Sequence, residues 1–168
     1  MNELFKEFLC IAQDLNSRQQ IPLLMGSLSL SVLTRVDFQP RDIDIHVKGH
    51  PGGWSVPAEK QIDAWTDILF VMNKRGYQLV ALHEHEFQQG AFIVQFGSMN
   101  SLPAFANVSL DNLVKHTVGG AVFLMPSVAD FLKIYRTSSK DSYRASKNNN
   151  QDLEKIQLLT QRLEQSQK

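Results

Sequence analysis

Residues 21–47 read IPLLMGSLSLSVLTRVDFQPRDIDIHV, and this stretch organises the predicted fold. Its apolar start, residues 21–25, has the length and composition of a short buried strand and stops at Gly26-Ser27. The apolar residues 28–34 that follow are expected to form a short helix. A turn that leads into a helix offers backbone N–H groups, which suit a phosphate ligand.

The end of the same stretch, residues 42–47, alternates between polar and apolar side chains. This period of two predicts a strand with one buried face. On such a strand Asp42 and Asp44 project from the same face, where their negative charges repel each other. A divalent cation with oxygen ligands, most often magnesium, would offset that repulsion. A phosphate cradle beside two carboxylates indicates metal-assisted phosphoryl or nucleotidyl transfer.

The order Gly26-Ser27, a spacer and then Asp42-Ile43-Asp44 resembles the G-S…D-x-D signature of the nucleotidyltransferase superfamily. The nearest likeness is to small bacterial nucleotidyltransferase-like proteins, which include minimal nucleotidyltransferases and relatives of abortive-infection toxins. A second likeness lies near the C-terminus, where SSKDSYRASKNNNQDLEKI is similar to a Lys- and Asp-rich helical segment of those proteins.

The resemblance implies a nucleotidyltransferase-like fold and a role for five residues. In this fold a small mixed sheet is flanked by helices and followed by a helical C-terminal segment. Asp42 and Asp44 would be the catalytic residues and would bind Mg²⁺. Gly26 and Ser27 would contact the phosphates of a nucleoside triphosphate, and Lys140 would contact the nucleotide.

The activity implied is magnesium-dependent transfer of a nucleoside monophosphate from a nucleoside triphosphate to a hydroxyl group. The acceptor stays open among a small molecule, a tRNA end and a protein side chain. A second hypothesis is a catalytically degenerate relative that binds a nucleotide or a partner, for instance within a toxin–antitoxin pair. A third is an interaction module with helical faces that binds no nucleotide.

A third carboxylate near the pair is what separates the first two hypotheses, since the superfamily usually needs one. The predicted strand 91–96 holds Gln95 where an acid would be expected, and glutamine cannot act as a general base. Glu84 and Glu86 lie on the preceding predicted strand and are the other candidates. His46 projects from the same face of the strand as the two aspartates. It is expected either to modify the properties of the site or simply to end the strand.

Composition predicts a globular protein of ordinary domain size. The chain has 168 residues, of which 43% are hydrophobic and 20% charged. No apolar run is long enough to span a membrane, and the acidic N-terminus MNELFKEFLC does not resemble an export signal. The single cysteine, Cys10, excludes an internal disulfide and is expected to lie in the core. We therefore expect a cytoplasmic protein.

Charge is balanced overall but unevenly distributed. Residues 133–168 hold 8 Lys/Arg against 4 Asp/Glu, and residues 1–132 hold 9 against 13. A basic tail facing an acidic catalytic part would suit a nucleoside triphosphate, and a solvated basic helix explains the same pattern. Zero net charge argues against a dedicated nucleic-acid binder.

Helical and strand patterns alternate along the chain, which predicts an α+β or mixed α/β fold. We expect a single domain over residues 1–168, with a sheet-containing core in 1–126 and C-terminal helices in 127–168. Within it, the predicted helices are 2–16, 28–34, 58–75, 127–143 and 152–165, and the predicted strands are 21–25, 42–47, 77–87 and 91–96, with a small hairpin at 116–123.

Overall fold

The strand Ile43–Val47 lies inside a mixed sheet and is bonded to a neighbour on each side. Its three apolar residues, Ile43, Ile45 and Val47, are buried, whereas Asp44 and His46 between them are partly exposed. The alternation read from the sequence is therefore confirmed. These observations come from a computed structural model that describes residues 2–140 and 151–167.

The described residues form an α+β fold with seven strands in one sheet. The strands are β1 Leu23–Met25, β2 Ile43–Val47, β3 Gln78–Ala81, β4 Glu86–Gln89, β5 Phe92–Ser98, β6 Val114–Val118 and β7 Ala121–Met125. Their order across the sheet is β3-β4-β5-β2-β1-β7-β6. Strand β2 is antiparallel to β1 and parallel to β5, and β1 is parallel to β7, so the sheet is mixed.

Six α-helices accompany the sheet within the described residues. They are α1 Glu3–Asn16, α2 Gly26–Thr34, α3 Trp65–Lys74, α4 Leu102–Ala106, α5 Val128–Ser139 and α6 Gln151–Ser166. None of these helices combines the length and apolar character that crossing a bilayer requires.

The chain divides into two compact units. The first comprises Met1–Asn100 and Lys115–Met125, and the second comprises Ser101–Val114 and Pro126–Lys168. Residues 101–114 thus cluster with the C-terminal helices. That the whole chain folds as one domain stays a prediction.

Helix α1 supplies much of the core of the first unit. Its buried residues follow helical spacing, and Phe8 meets Phe123 of β7 edge-on, with ring centroids 5.1 Å apart. Cys10 is exposed, contrary to our expectation. The reason is geometric, because two helix steps turn Cys10 about 200° away from Phe8.

The predicted helix 58–75 is wrong in its first part. Helix α3 begins at Trp65, and a 3₁₀ turn, Ala58–Lys60, precedes it. The residues between them bond to the segment after β2, where Gly49 forms an isolated bridge with Ile62. These tertiary backbone bonds replace the helical bonds that the apolar periodicity predicted.

The predicted strand 77–87 is in fact two strands joined by a turn. Strands β3 and β4 pair with each other in antiparallel fashion. Between them His85 adopts a left-handed backbone (φ 50°), and its buried imidazole lies 2.7 Å from the Ala58 carbonyl oxygen. Glu84 is an exposed turn residue, so its predicted place on one strand with Glu86 is wrong.

The hairpin predicted at 116–123, and the turn between the strands predicted at 77–87 and 91–96, each connect neighbouring strands. Gln89 and Phe92 are paired across the turn between β4 and β5. Gly119 and Gly120 lie between β6 and β7 with φ of 56° and 84°, a left-handed region that glycine enters without steric cost.

In the second unit, Ser127 begins α5 as predicted, because its hydroxyl accepts a hydrogen bond from the Asp130 backbone N–H at 3.1 Å. Helix α5 ends at Ser139, short of the predicted Tyr143. Arg144 and Lys147, which we expect to extend the basic face of Lys140, lie outside the described residues.

Helix α6 packs on α5. Four of its apolar residues are expected to be buried, and of these Leu159 is fully buried, Ile156 and Leu163 are partly buried and Leu153 is exposed. The buried residues of α6 are Asp152, Lys155 and Leu159, whereas Leu153, predicted to be buried, is 55% exposed. Lys155 extends its ammonium over the Tyr135 ring, 4.9 Å from the centroid. This contact turns the Asp152 side of the helix inward.

An ionic cluster ties α1 to the segment after α3 in the first unit. Arg75 contacts Glu7 at 3.1 Å and Asp14 at 3.2 Å, and the Tyr77 hydroxyl donates to Glu7 at 2.9 Å. Burial alone would lower the pKa of Arg75, but its hydrogen bonds and the charges of Glu7 and Asp14 outweigh burial and raise it.

Burial, the hydrogen bond to Glu7 and the charge of Glu7 raise the pKa of Tyr77 above its ordinary value of 10.0. In the unfolded chain this phenol titrates near the ordinary value, so the native state retains the proton at higher pH. The contribution of Tyr77 to stability is therefore present below about pH 10 and decreases above it. We expect the stability difference between wild type and Tyr77→Phe to shrink between about pH 9 and 11 in urea titrations. A stability difference that stays constant over this pH range would contradict the raised pKa of Tyr77.

The two leucines of α6 provide a matched test of its buried face. Leu159 is fully buried and Leu153 is more than half exposed. Leu159→Ala should lower the free energy of unfolding by about 2–5 kcal/mol through lost burial and a residual cavity. Leu153→Ala should change it by less than about 0.5 kcal/mol. Urea denaturation measures both, and equal losses would rule out this orientation of the helix.

Candidate functional site

The antiparallel pairing of β1 with β2 brings the Gly-Ser pair next to the second aspartate. Met25, the last residue of β1, is paired with Asp44 of β2, and α2 starts at the next residue, Gly26. Gly26 has a φ of 71°, and a Cβ there would lie 3.3 Å from the Asp44 Cβ and 3.5 Å from its Oδ2. The position therefore needs glycine for its backbone conformation and for its closeness to Asp44.

The start of α2 has the properties of an anion site. Met25 occupies the position before the helix and gives it no side-chain hydrogen bond. Backbone N–H groups and the positive end of the helix dipole are found at such a terminus, where negative charge is favoured. Ser27, the second helical residue, is half-buried and takes part in polar interactions of its own. The expected separate turn is absent, because β1 runs directly into the helix.

The two aspartates differ in their surroundings. Asp44 is a strand residue and its side chain is 35% exposed, whereas Asp42 precedes the strand by one residue and is exposed. The strand thus starts one residue later than predicted. The carboxylate of Asp44 is the one that the sheet holds in register with its neighbours.

A row of polar residues extends from Asp44 across three strands. In the parallel pairing of β2 with β5, Asp44 is opposite Gln95, and in the pairing of β5 with β4, Gln95 is opposite Glu86. Residues paired in this way project from the same face of the sheet. The Gln95 side-chain amide donates to Glu86 Oε1 at 3.1 Å. An amide thus lies beside Asp44, and the nearest glutamate of the row is one strand farther away.

His46 lies two residues after Asp44 and contacts it. Its Nε2 is 3.3 Å from Asp44 Oδ1, and 20% of its side chain is exposed. The other ring nitrogen, Nδ1, is buried and has no hydrogen-bond partner among the described residues. His46 is paired with Gly97 of β5, where a Cβ would lie 2.9 Å from the His46 Nε2.

The donor atoms at this face suit a hard cation. Carboxylate and amide oxygens are typical ligands of Mg²⁺, which binds through one or two carboxylates together with substrate phosphates. Across residues 2–140 and 151–167, no group of three or more His, Cys, Asp or Glu side chains could hold a metal ion. A cation here would rely on few protein carboxylates, on Gln95 and on oxygens of the ligand.

Lys140 belongs to the second unit and directly follows α5, where its backbone N–H bonds to the Thr137 carbonyl at 3.2 Å. Its contact with a nucleotide stays a prediction.

Gly97, which lies against His46, was not predicted from the sequence. The signal available was a glycine inside a strand, which often marks a close approach of another group.

Gly26→Ala tests the close approach to Asp44, with Gly90→Ala as its control. Both glycines have a left-handed φ, 71° and 56°, but a Cβ at Gly90 would meet nothing within 4 Å. Each substitution should cost about 1–3 kcal/mol of backbone strain. The Gly26 variant should lose more stability in urea denaturation, because of the added contact. Equal losses of stability in the two variants would show that Asp44 can move away from the added methyl group without destabilising the fold.

Comparison with known proteins gives one informative relative. No protein-family model matches the chain. The uncharacterized protein YnaI of Bacillus subtilis (strain 168) is 37% identical over 158 residues, which cover 94% of this chain and 96% of YnaI. The match therefore includes both compact units and the strands that carry Asp44 and Gln95. At this identity and coverage, the chain belongs to the same protein family as Bacillus subtilis YnaI.

Proposed function

We propose that this protein is a nucleotidyltransferase-like protein of the superfamily suggested by its G-S and D-x-D motifs. Its activity is magnesium-dependent transfer of a nucleoside monophosphate from a nucleoside triphosphate to a hydroxyl group. The observation that carries the proposal is the pairing of Met25 with Asp44, which sets the start of α2 against a carboxylate. A phosphate site beside a metal-binding carboxylate is what such a reaction needs.

In this proposal each residue of the site has a distinct task. The backbone N–H groups at Gly26 and Ser27, with the Ser27 hydroxyl, bind the triphosphate. Asp42 and Asp44 hold Mg²⁺, which when bound neutralises phosphate charge and assists the attacking hydroxyl. The acceptor is a small molecule, a tRNA end or a protein side chain.

One feature of the site favours a second candidate, a degenerate relative that binds a nucleotide or a partner without catalysis. Gln95 is paired with Asp44, and its amide is bonded to Glu86. An amide can ligate a metal through its oxygen but cannot accept a proton from an attacking hydroxyl. The absence of a carboxylate at Gln95 would leave binding intact and reduce or abolish transfer.

Calorimetric titration with ATP, GTP, CTP and UTP, with and without magnesium, tests the binding step. Asp42→Asn and Asp44→Asn remove metal-binding charge with little change of shape. Each should weaken magnesium-dependent binding by more than about tenfold. Asp63→Asn is the control, because Asp63 is an exposed aspartate of the same unit outside the site. A folded wild type that binds no triphosphate would refute the enzyme and leave only a degenerate relative that binds a partner.

Gln95→Glu separates the enzyme from the degenerate relative. Transfer is measured by pyrophosphate release and by incorporation of label from an α-labelled triphosphate. Release by wild type supports the enzyme, whereas binding without release, with release appearing only in Gln95→Glu, supports the degenerate relative. Gln88→Glu adds the same charge at an exposed position of β4 and should have no effect.

A further inference from the structure

The two oxygens of the Asp44 carboxylate face different groups. Oδ1 lies 3.3 Å from the His46 Nε2. Oδ2 faces the start of α2, since a Cβ on Gly26 would be 3.5 Å from it. The carboxylate is thus held between an imidazole and the first residue of the helix.

The imidazole reaches this position because Gly97 has no side chain. His46 and Gly97 are paired across β2 and β5. A Cβ on Gly97 would come within 2.9 Å of the ring Nε2, 3.1 Å of Cδ2 and 3.3 Å of Cε1. The φ of Gly97 is not in the left-handed region, so its backbone would accept any residue. The glycine provides space for the ring.

The surroundings of the ring indicate which nitrogen carries the proton. Nε2 lies 3.3 Å from Asp44 Oδ1, so a proton on Nε2 would lie beside the negative charge of the carboxylate. Nδ1 is buried without a hydrogen-bond partner among the described residues, so a proton there would be a buried donor with no acceptor. The Nε2–H tautomer places the proton beside the carboxylate and avoids a buried donor at Nδ1.

We infer that His46 is a positioning residue for Asp44, and that Gly97 gives it the space to act. By its contact with Oδ1, His46 orients the carboxylate so that Oδ2 faces the start of α2, where the triphosphate and its metal would bind. The effect on nucleotide binding rests on the proposed function, but the contact between His46 and Asp44 does not. Partners that orient a metal ligand commonly change metal affinity or activity by about tenfold or more when they are lost.

Three variants separate positioning from a merely structural role. His46→Gln keeps an N–H donor near the position of Nε2, and His46→Phe keeps a ring without a donor. Gly97→Ala keeps every polar group and displaces the ring. We expect His46→Phe and Gly97→Ala to weaken magnesium-dependent triphosphate binding about tenfold, and His46→Gln by less than about threefold. Equal binding by wild type and His46→Phe would overturn the inference.

A double-mutant cycle tests whether Gly97 acts through His46. Gly97→Ala should weaken binding in the wild type and have no further effect in a His46→Ala background, where there is no ring to displace. Additive losses would show that Gly97 acts by another route and would overturn its assigned role. Thermal denaturation of each variant checks that the native fold is retained.

Long-range ¹H–¹⁵N spectra of the histidine rings test the contact without any ligand. The His46 Hε2 proton should be observed and shifted downfield in the wild type, and lost in Asp44→Ala and in Gly97→Ala. If this holds but no triphosphate binds, the proposed function fails and the positioning contact stands. If the Hε2 signal is the same in all three proteins, the positioning inference fails, whatever the nucleotide titrations give.

Discussion

Strand β2 is bonded on both sides, and the candidate site depends on this double pairing. The antiparallel ladder with β1 sets Asp44 opposite Met25, and the parallel ladder with β5 sets it opposite Gln95. Slipping the strand by one residue would bury Asp44 and His46 and expose the apolar residues between them. Burial of Ile43, Ile45 and Val47 therefore stabilises the fold and the position of the carboxylate together.

Features set by local sequence were predicted well. The helix predicted over 2–16, the alternation of β2 and the helix start predicted at Ser127 all arise from residues close in the chain. The predicted strand 77–87 was wrong because a tertiary contact decides its conformation. His85 reaches the carbonyl of Ala58, a residue 27 positions away, and the chain turns there.

The site was predictable in its parts but not in its assembly. Gly26, Asp44 and Gln95 were each recognisable from their place in a motif or strand. Their pairing depends on strand order, and β2 is bonded to β5, which starts 45 residues after β2 ends. No periodicity in the sequence reports such an order. Gly97 was missed for the same reason, since its importance comes from His46 on the neighbouring strand.

The two compact units are interleaved along the chain. The polypeptide leaves the first unit after Asn100, returns at Lys115 and leaves again after Met125. No single cut in the backbone can therefore separate the units. A shortened chain that stops at residue 126 would retain residues 101–114 without helix α5, against which α4 packs. Apolar residues of α4, such as the buried Leu102 and Ala106, would then lose that cover, so aggregation of the shortened protein is the expected cost of dividing it there.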